Sequence, residues 1–375
     1  MLCMQDRILI VGAGLTGATI ARCLADQGQA VLVIDKRSHL AGNCYDEVQS
    51  DILVSRYGAH LFHTNDKSVW QFLQKFTKWR PYEHQVLTKI NDQSVNLPVN
   101  INTINQLFGL KIKTGKEMRH FLSKQALPIK KVDNLADYLL SQVGEVIYQK
   151  IFYGYSRKQW GIDPACLDTS ISSRLPIRYN FDNRYFTDKF QALPVGGYTT
   201  LIEKMLKHPQ IEVKLKTDYF RLPKSFVKDF SKVVYTGPID RYFNYRAGRL
   251  EYRSLKFIFS KLDKEFYQNN SVINYPDLTV PYTRVIEFKY FDPSSKITKH
   301  TVIAREYPKS KGEPYYPVPR ARNQQVLAKY LAKVAELEKS GIYFAGRLGT
   351  YRYLNMDQAV AEAMKLAKKI SKKSN

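Results

Sequence analysis

Acid is scarce in this sequence. There are 34 Asp plus Glu against 58 Lys plus Arg, a formal charge of +24 that would concentrate polyanions near the surface by steering. Three readings compete: solvated helix faces, attraction to an anionic membrane surface or to anionic substrates, and nucleic-acid binding. The last lacks support, because no helix-turn-helix, zinc-finger or RNP aromatic pattern accompanies the charge. Cysteine is scarcer still. Cys3, Cys23, Cys44 and Cys166 are scattered and form no Cys-x-x-Cys pair, which excludes a disulfide framework and fits a reducing compartment. Long apolar runs are missing too, so nothing is expected to span a membrane. The run ILIV at 8–11 is too short for a signal-peptide core and leads into a glycine-rich turn, so it reads as a first strand, and the protein as cytoplasmic. What remains is 44% hydrophobic over 375 residues, enough for one large or two to three small domains with a buried core.

The chain opens as strand, glycine turn, helix, strand. RILIVGAG is followed by LTGATIARCLADQG with apolar residues at helical spacing, then by AVLVID, which makes one βαβ unit. From 101 to 149 the pattern is helical and lysine-rich. A loop-like segment follows with Pro164, Pro176 and several Ser and Thr. Between 250 and 307, RSLKFIFS, VINYPD, TRVIEFKYF and TVIAREYP alternate β-branched and aromatic residues as an antiparallel sheet does. GIYFAGRL then reads as a strand, and AVAEAMKLAKKI as a basic-ended helix. The expected fold is a Rossmann-like α/β domain interrupted by an inserted helical bundle and an antiparallel β-sheet domain. The α/β domain takes 1–80, 198–248 and 338–375, the helical domain 100–190, and the sheet domain 81–99, 190–197 and 249–337.

Gly12, Gly14 and Gly17 form G-x-G-x-x-G between a strand and a helix, and Asp35 ends the next strand. Glycines permit the tight turn and close backbone approach, the helix N-terminus holds a pyrophosphate, and the carboxylate bonds a ribose hydroxyl. The motif alone does not separate NAD from FAD. KRSHLAGN after Asp35 places Arg37, Gly42 and Asn43 where flavoproteins related to the amine oxidases continue their FAD site. FAGRLGTYRYLNMDQAV supplies a second helix start near the far end of the chain. Two separated motifs closing on one long cofactor favour FAD. His60 and His63 have no metal-spaced partners, and no metal is expected.

Nine further segments occur in order: GAHLFHT (58–64), FYGYSRKQWG (152–161), RLPIRYNFDNRYF (174–186), LPVGGYT (193–199), YTGPID (235–240), YRSLKF (252–257), PYTRVIE (281–287), EPYYPV (313–318) and GRLGTYRY (346–353). With them the chain resembles the bacterial UDP-galactopyranose mutases over nearly its whole length. The resemblance implies an FAD-binding α/β domain, a helical bundle with a mobile lid, and an antiparallel sheet. It implies an isomerase interconverting UDP-galactopyranose and UDP-galactofuranose. Reduced flavin N5 attacks the anomeric carbon, which is covalent catalysis by a cofactor with no net redox change. Negative charge then grows on the β-phosphate and calls for positioned cationic and phenolic donors.

The resemblance also assigns residues. Arg174 and Arg284 match two phosphate-binding arginines, Arg174 on the lid. His60, His63 and Arg347 match residues beside the isoalloxazine, and Asn355, Met356 and Asp357 begin the helix pointed at it. Thr16, Lys36, Leu61, Asp218 and Tyr219 complete the cofactor set. Tyr185, Tyr316 and Tyr353 match tyrosines that bond the phosphates, Phe152, Tyr155 and Trp160 the aromatic group around uracil and the lid, and Asn274 a ligand contact. Three departures stand out: His84 where an asparagine contacting the ligand is common, Phe288 for a usual histidine, and Asn355 for a usual aspartate. They bear on the sugar accepted, and the alternative they leave is a sibling mutase acting on UDP-N-acetylgalactosamine. A flavin oxidoreductase of the amine-oxidase type fits less well, since it would prefer an apolar or acidic pocket to two arginines and several phenols. The implied partners are UDP-galactose, NAD(P)H or another reductant, and a second copy in a homodimer.

Overall fold

The computed structural model describes residues 7–174 and 176–372, without the side chains of residues 173, 174 and 296. Its centre is a five-stranded parallel sheet in the order Ile211–Lys214, Val31–Ile34, Ile8–Val11, Lys232–Tyr235, Ile342–Phe344. Ile8, Leu9, Ile10 and all four residues of Val31–Ile34 are buried, as expected of central strands covered on both faces. Ile8 and Ile10 pack with Ala18, Ala21 and Leu24 of helix Leu15–Ala25 and with Val360, Ala363 and Ile370 of helix Met356–Lys372. Leu9 and Val233 face the other way, toward Phe226 and Phe230. The glycine turn and the start of Met356–Lys372 thereby come to the same end of the sheet.

The helical segment comprises Ile101–Phe108, Gly115–Gln125, Leu135–Ile147 and Gly154–Trp160. Asn100, Thr114 and Asn134 cap the first three by accepting amide hydrogens of Thr103, Glu117 and Asp137. A π-helical stretch, Tyr148–Tyr153, immediately precedes the helix that carries Tyr155 and Trp160, a break that often marks a functional site.

A seven-stranded sheet runs Tyr316–Pro317, Tyr252–Leu262, Thr301–Lys309, Arg284–Glu287, Val272–Asn274, Val86–Ile90, Gln93–Leu97. It differs from the expected antiparallel sheet in one pair, since Val272–Asn274 lies parallel to Val86–Ile90. The strand expected to run through FKYF stops at Glu287. Phe288 and Lys289 are both fully buried, which breaks the period-two alternation, and Phe288–Phe291 turns as a 3-10 helix. Two pieces expected in this sheet domain lie elsewhere. Phe190–Pro194 joins Phe62–Thr64 and Trp79–Pro81 in a separate three-stranded sheet, because its partners come from the 60–81 region. Helix Ala321–Lys339 turns Leu327 and Tyr330 onto Phe344 at the edge of the parallel sheet. Among the described residues no helix is long and apolar enough to cross a membrane.

Candidate active site

The G-x-G-x-x-G turn is held by sterics. Gly12 has φ +116°, and a Cβ there would lie 2.1 Å from Thr236 Oγ1. A Cβ on Gly17 would lie 1.9 Å from the Gly12 carbonyl oxygen, so helix and strand approach too closely for any side chain. Gly14 differs: a Cβ would find its nearest neighbour, Gly42 Cα, at 3.7 Å, and Gly14 lines a cavity. Gly14 is also the N-cap of Leu15–Ala25, with no side-chain cap and no acid in the first turn. The helix amides thus face the cavity uncompensated, an arrangement that receives an anion. The Asp35 carboxylate is fixed beside it, accepting from the amides of Ala13 and Arg37, each at 2.9 Å.

The cavity has a volume of about 780 Å³. Thr16, Lys36, Arg37, Gly42, Asn43, Asp218, Tyr219, His60, Arg347, Asn355 and Met356 all line it. Leu61 and Asp357 are not in its wall. Leu61 packs against the core beneath the parallel sheet, whereas Asp357, in the first turn of Met356–Lys372, holds a buried Oδ1 with no hydrogen-bond partner among the described residues. The mouth adds Arg241, Tyr245 and Arg249, which no sequence motif pointed to. Arg241 pairs with Asp218 at 3.0 Å, the Arg249 guanidinium sits 3.8 Å from the Tyr245 ring centroid, and Lys36 reaches Glu313 at 2.8 Å. YTGPID and EPYYPV bracket part of this mouth, but Tyr245 and Arg249 lie in no quoted motif. An uncompensated helix N-terminus, an aligned carboxylate and a long, arginine-rimmed volume fit a dinucleotide of FAD's size.

In the cavity wall His60 Nδ1 bonds the Gly58 carbonyl at 2.8 Å. Burial, with the nearby Arg347 charge, pulls this imidazole down to about 4, so it is neutral near pH 7. The Arg347 guanidinium lies 5.2 Å and 4.8 Å from the ring centroids of Tyr316 and Tyr353, which stack on each other at 5.0 Å. Trp160 leans on Tyr353 at 6.2 Å. These rings join the cavity to a second cluster around Arg284.

Arg284 and Asn274 are cross-strand partners. Arg284 Nη2 donates to the Tyr155 hydroxyl, and its Nε lies 3.6 Å from the buried Glu306 carboxylate. Burial opposes the charge, but Glu306, Tyr155, Tyr316 and Tyr185 hold this guanidinium firmly protonated. Around it are buried polar atoms without hydrogen-bond partners among the described residues: Asn274 Oδ1, His84 Nδ1, Thr88 Oγ1 and Arg284 Nε itself. Buried polar groups are nearly always satisfied, so three such atoms beside one arginine point to a polar ligand. His84 packs edge-on to Tyr185 at 5.8 Å, and burial plus the Arg284 charge draws it down to about 3. His63 stands one ring further out, stacked on Phe186 at 3.6 Å with Nδ1 bonded to Asp188 at 2.8 Å. Phe152 is buried in the helical core. The Arg174 side chain lies outside the described residues. Among the described residues no group of three or more His, Cys, Asp or Glu is placed to hold a metal.

Residues 150–353 match the family model of UDP-galactopyranose mutase, and 10–76 match that of the NAD(P)-binding Rossmann-like domain. A Klebsiella pneumoniae protein described as "Probable UDP-galactopyranose mutase" is 42% identical, over 97% of this chain and 94% of its own length. The chain belongs to the UDP-galactopyranose mutase family. It is thereby an enzyme, of the isomerase class. A second relative, the dTDP-fucopyranose mutase of Escherichia coli, is 38% identical over 97% of this chain and 98% of its own length. The fold agrees: a crystal structure of reduced UDP-galactopyranose mutase superposes with a TM-score of 0.80 at 16% identity, covering 98% of this chain and 96% of that one.

Proposed function

We propose that this mutase interconverts UDP-galactopyranose and UDP-galactofuranose, with FAD in the long cavity and the sugar nucleotide on the Arg284 cluster. The observation that carries the reading is the junction. His60 and Arg347 line the glycine-turn cavity, and Arg347 is roofed by the stacked pair Tyr316 and Tyr353, of which Tyr316 also borders Arg284. A sugar nucleotide bound between the two clusters would set its sugar beside His60 and Arg347 and its diphosphate against Arg284.

Bound and reduced, the flavin supplies a nucleophilic nitrogen for the anomeric carbon without net oxidation. The protein's part is to hold charge and geometry. Arg284 meets the negative charge that develops on the β-phosphate as the anomeric bond breaks, and its attachment to Glu306 and Tyr155 fixes the fork before the substrate arrives. Tyr316 and Tyr185 present phenol donors beside it, and Tyr353 stacks on Tyr316. Asn274 and His84 offer neutral polar atoms to the ligand. Arg174, on the 100–190 segment, closes over the phosphates as a lid residue. The segments 1–80, 198–248 and 338–375 form the cofactor-binding unit. The enzyme works in the cytoplasm as a homodimer and takes electrons from NAD(P)H or another reductant.

The test is to incubate anaerobically reduced, FAD-loaded protein with UDP-galactopyranose, UDP-N-acetylgalactosamine and dTDP-fucopyranose and to separate the products. Furanose formation from UDP-galactopyranose is expected to be fastest. Preference for dTDP-fucopyranose would move the substrate to that of the E. coli relative, and no furanose from any of the three would refute the reading.

A further inference from the structure

One helix of the bundle carries a charge for which the proposed chemistry has no use. Residues 110–132 hold six lysines and Arg119 against a single acid, Glu117. Helix Gly115–Gln125 turns Met118 and Leu122 into the helical core. Its period therefore directs Lys116, Arg119, His120 and Lys124 outward, and all four are exposed. The turns at its two ends add Lys111, Lys113, Lys130 and Lys131, also exposed.

Little inside the protein offsets these charges. Glu117 is engaged at the helix start, where it accepts the Lys113 amide hydrogen at 2.8 Å. Among the described residues the one ion pair in this stretch joins Lys131 to Asp133 at 2.8 Å. Apolar side chains are set among the cations, with Leu110, Leu127 and Val132 exposed to 38%, 40% and 42%. These sit at the ends of the helix rather than along its outer face.

We propose that this face docks the enzyme on an anionic lipid surface. Charge complementarity selects an anionic partner and disfavours a second copy of this chain, which would bring like charge against like. Between the anionic partners, the apolar side chains decide. A single-stranded nucleic acid is held by exposed aromatics on which bases stack, and residues 110–132 have no large aromatic among their exposed hydrophobics. Leucine and valine beside lysine suit the headgroup boundary, where short apolar side chains enter while cations stay in the surface potential. The apolar stripe of the helix remains committed to the bundle core. The attachment is therefore electrostatic in its main part, reversible and sensitive to salt.

The experiment is co-sedimentation of the FAD-loaded enzyme with vesicles of phosphatidylcholine alone and of phosphatidylcholine with about a third phosphatidylglycerol. Binding is expected to the second only, and to be lost at high salt. Two variants with equal change of net charge separate a local face from general basicity. Reversing Lys111, Lys116, Lys124 and Lys130 to Glu is expected to weaken vesicle binding about tenfold or more while mutase turnover is retained. Reversing the exposed Lys329, Lys333, Lys365 and Lys368 to Glu is expected to leave most of the binding. Equal loss in the two variants, equal binding to neutral vesicles, or tighter binding to single-stranded DNA than to anionic vesicles would each overturn the proposal.

Discussion

Arg284 and Asn274 face each other across two paired strands, and each holds a buried polar atom, Nε and Oδ1, with no hydrogen-bond partner among the described residues. Neither strand end is disordered by this arrangement, because the neighbouring Val285, Ile286 and Val272 are buried in the sheet core. Both side chains are thus fixed on rigid backbone, with Arg284 Nε 3.6 Å from Glu306 and Asn274 Oδ1 left able to accept from a ligand.

Arg284→Ala is expected to lower kcat on the order of a hundredfold or more. It also leaves the buried Glu306 without its cation, so the melting temperature falls as well. Arg284→Lys separates the two effects: it restores the charge beside Glu306 and most of the stability, but not the two-pronged contact and not the activity. Arg174→Ala is expected to lose a similar factor in kcat with unchanged stability and FAD content. Activity within a few-fold of wild type in both alanine variants would remove arginine from the account of the phosphates.

The glycine turn predicts two distinguishable failures. In Gly14→Val the added side chain meets nothing closer than ordinary contact distance at its Cβ, so the chain folds but the side chain fills the space meant for the pyrophosphate. The purified variant is expected to be colourless, with a near-normal melting temperature in the absence of FAD. In Gly17→Val the Cβ collides with the Gly12 carbonyl, and soluble folded protein is not expected. A yellow Gly14→Val protein would contradict the assignment of this turn.

Acid should destabilise the fold through its buried histidines. His84 and His60 are drawn from an ordinary value near 6.5 down to about 3 and about 4, chiefly by burial. Their folded values lie below the unfolded ones, so the unfolded chain takes up protons first as pH falls. The stability they contribute is complete above pH ~6.5 and is lost progressively as pH falls toward the folded values, by about 1.4 kcal/mol for each pH unit and each histidine. His84→Asn, which cannot titrate, is expected to flatten the fall of melting temperature between neutral pH and pH ~4.5. An unchanged slope would show that His84 titrates freely in the folded protein.

Lys158 ties the helix of Tyr155 and Trp160 to the loop that connects Asn274 with Arg284. Its ammonium lies within 3.0 Å of the carbonyl oxygens of Tyr275, Asp277, Val280 and Tyr282. Lys158→Met keeps much of the side-chain volume but releases the loop. Because displacement of a binding group by about 1 Å can cost a hundredfold, kcat/KM is expected to fall by that order while FAD content stays at wild-type level. Unaltered kinetics would show that the loop holds its place without the clamp.

Much of the cofactor end was legible because it is local in the chain. Gly12, Gly14, Gly17 and Asp35 lie within one βαβ unit, and their roles follow from spacing alone. Met356 and Asn355 were placed by resemblance, and the structure brings them to the same cavity. The mouth formed with Arg241, Tyr245 and Arg249 was not legible, since its residues belong to short turns that carry no periodic signal. The pairing of Phe190–Pro194 with Phe62–Thr64, and the parallel pair Val272–Asn274 with Val86–Ile90, depend on contacts across more than a hundred residues, which neither alternation nor propensity encodes. His63 is held by Asp188 and Phe186, contacts from more than a hundred residues away that spacing does not reveal.

The central claim is isomerisation on a reduced flavin without net oxidation. It is tested most directly by counting furanose product formed per reducing equivalent, in an anaerobic reaction of FAD-loaded protein reduced once with dithionite. The account predicts many turnovers per equivalent, with the flavin still reduced at the end. A yield that stops near one product per equivalent, with the flavin reoxidised, would contradict it.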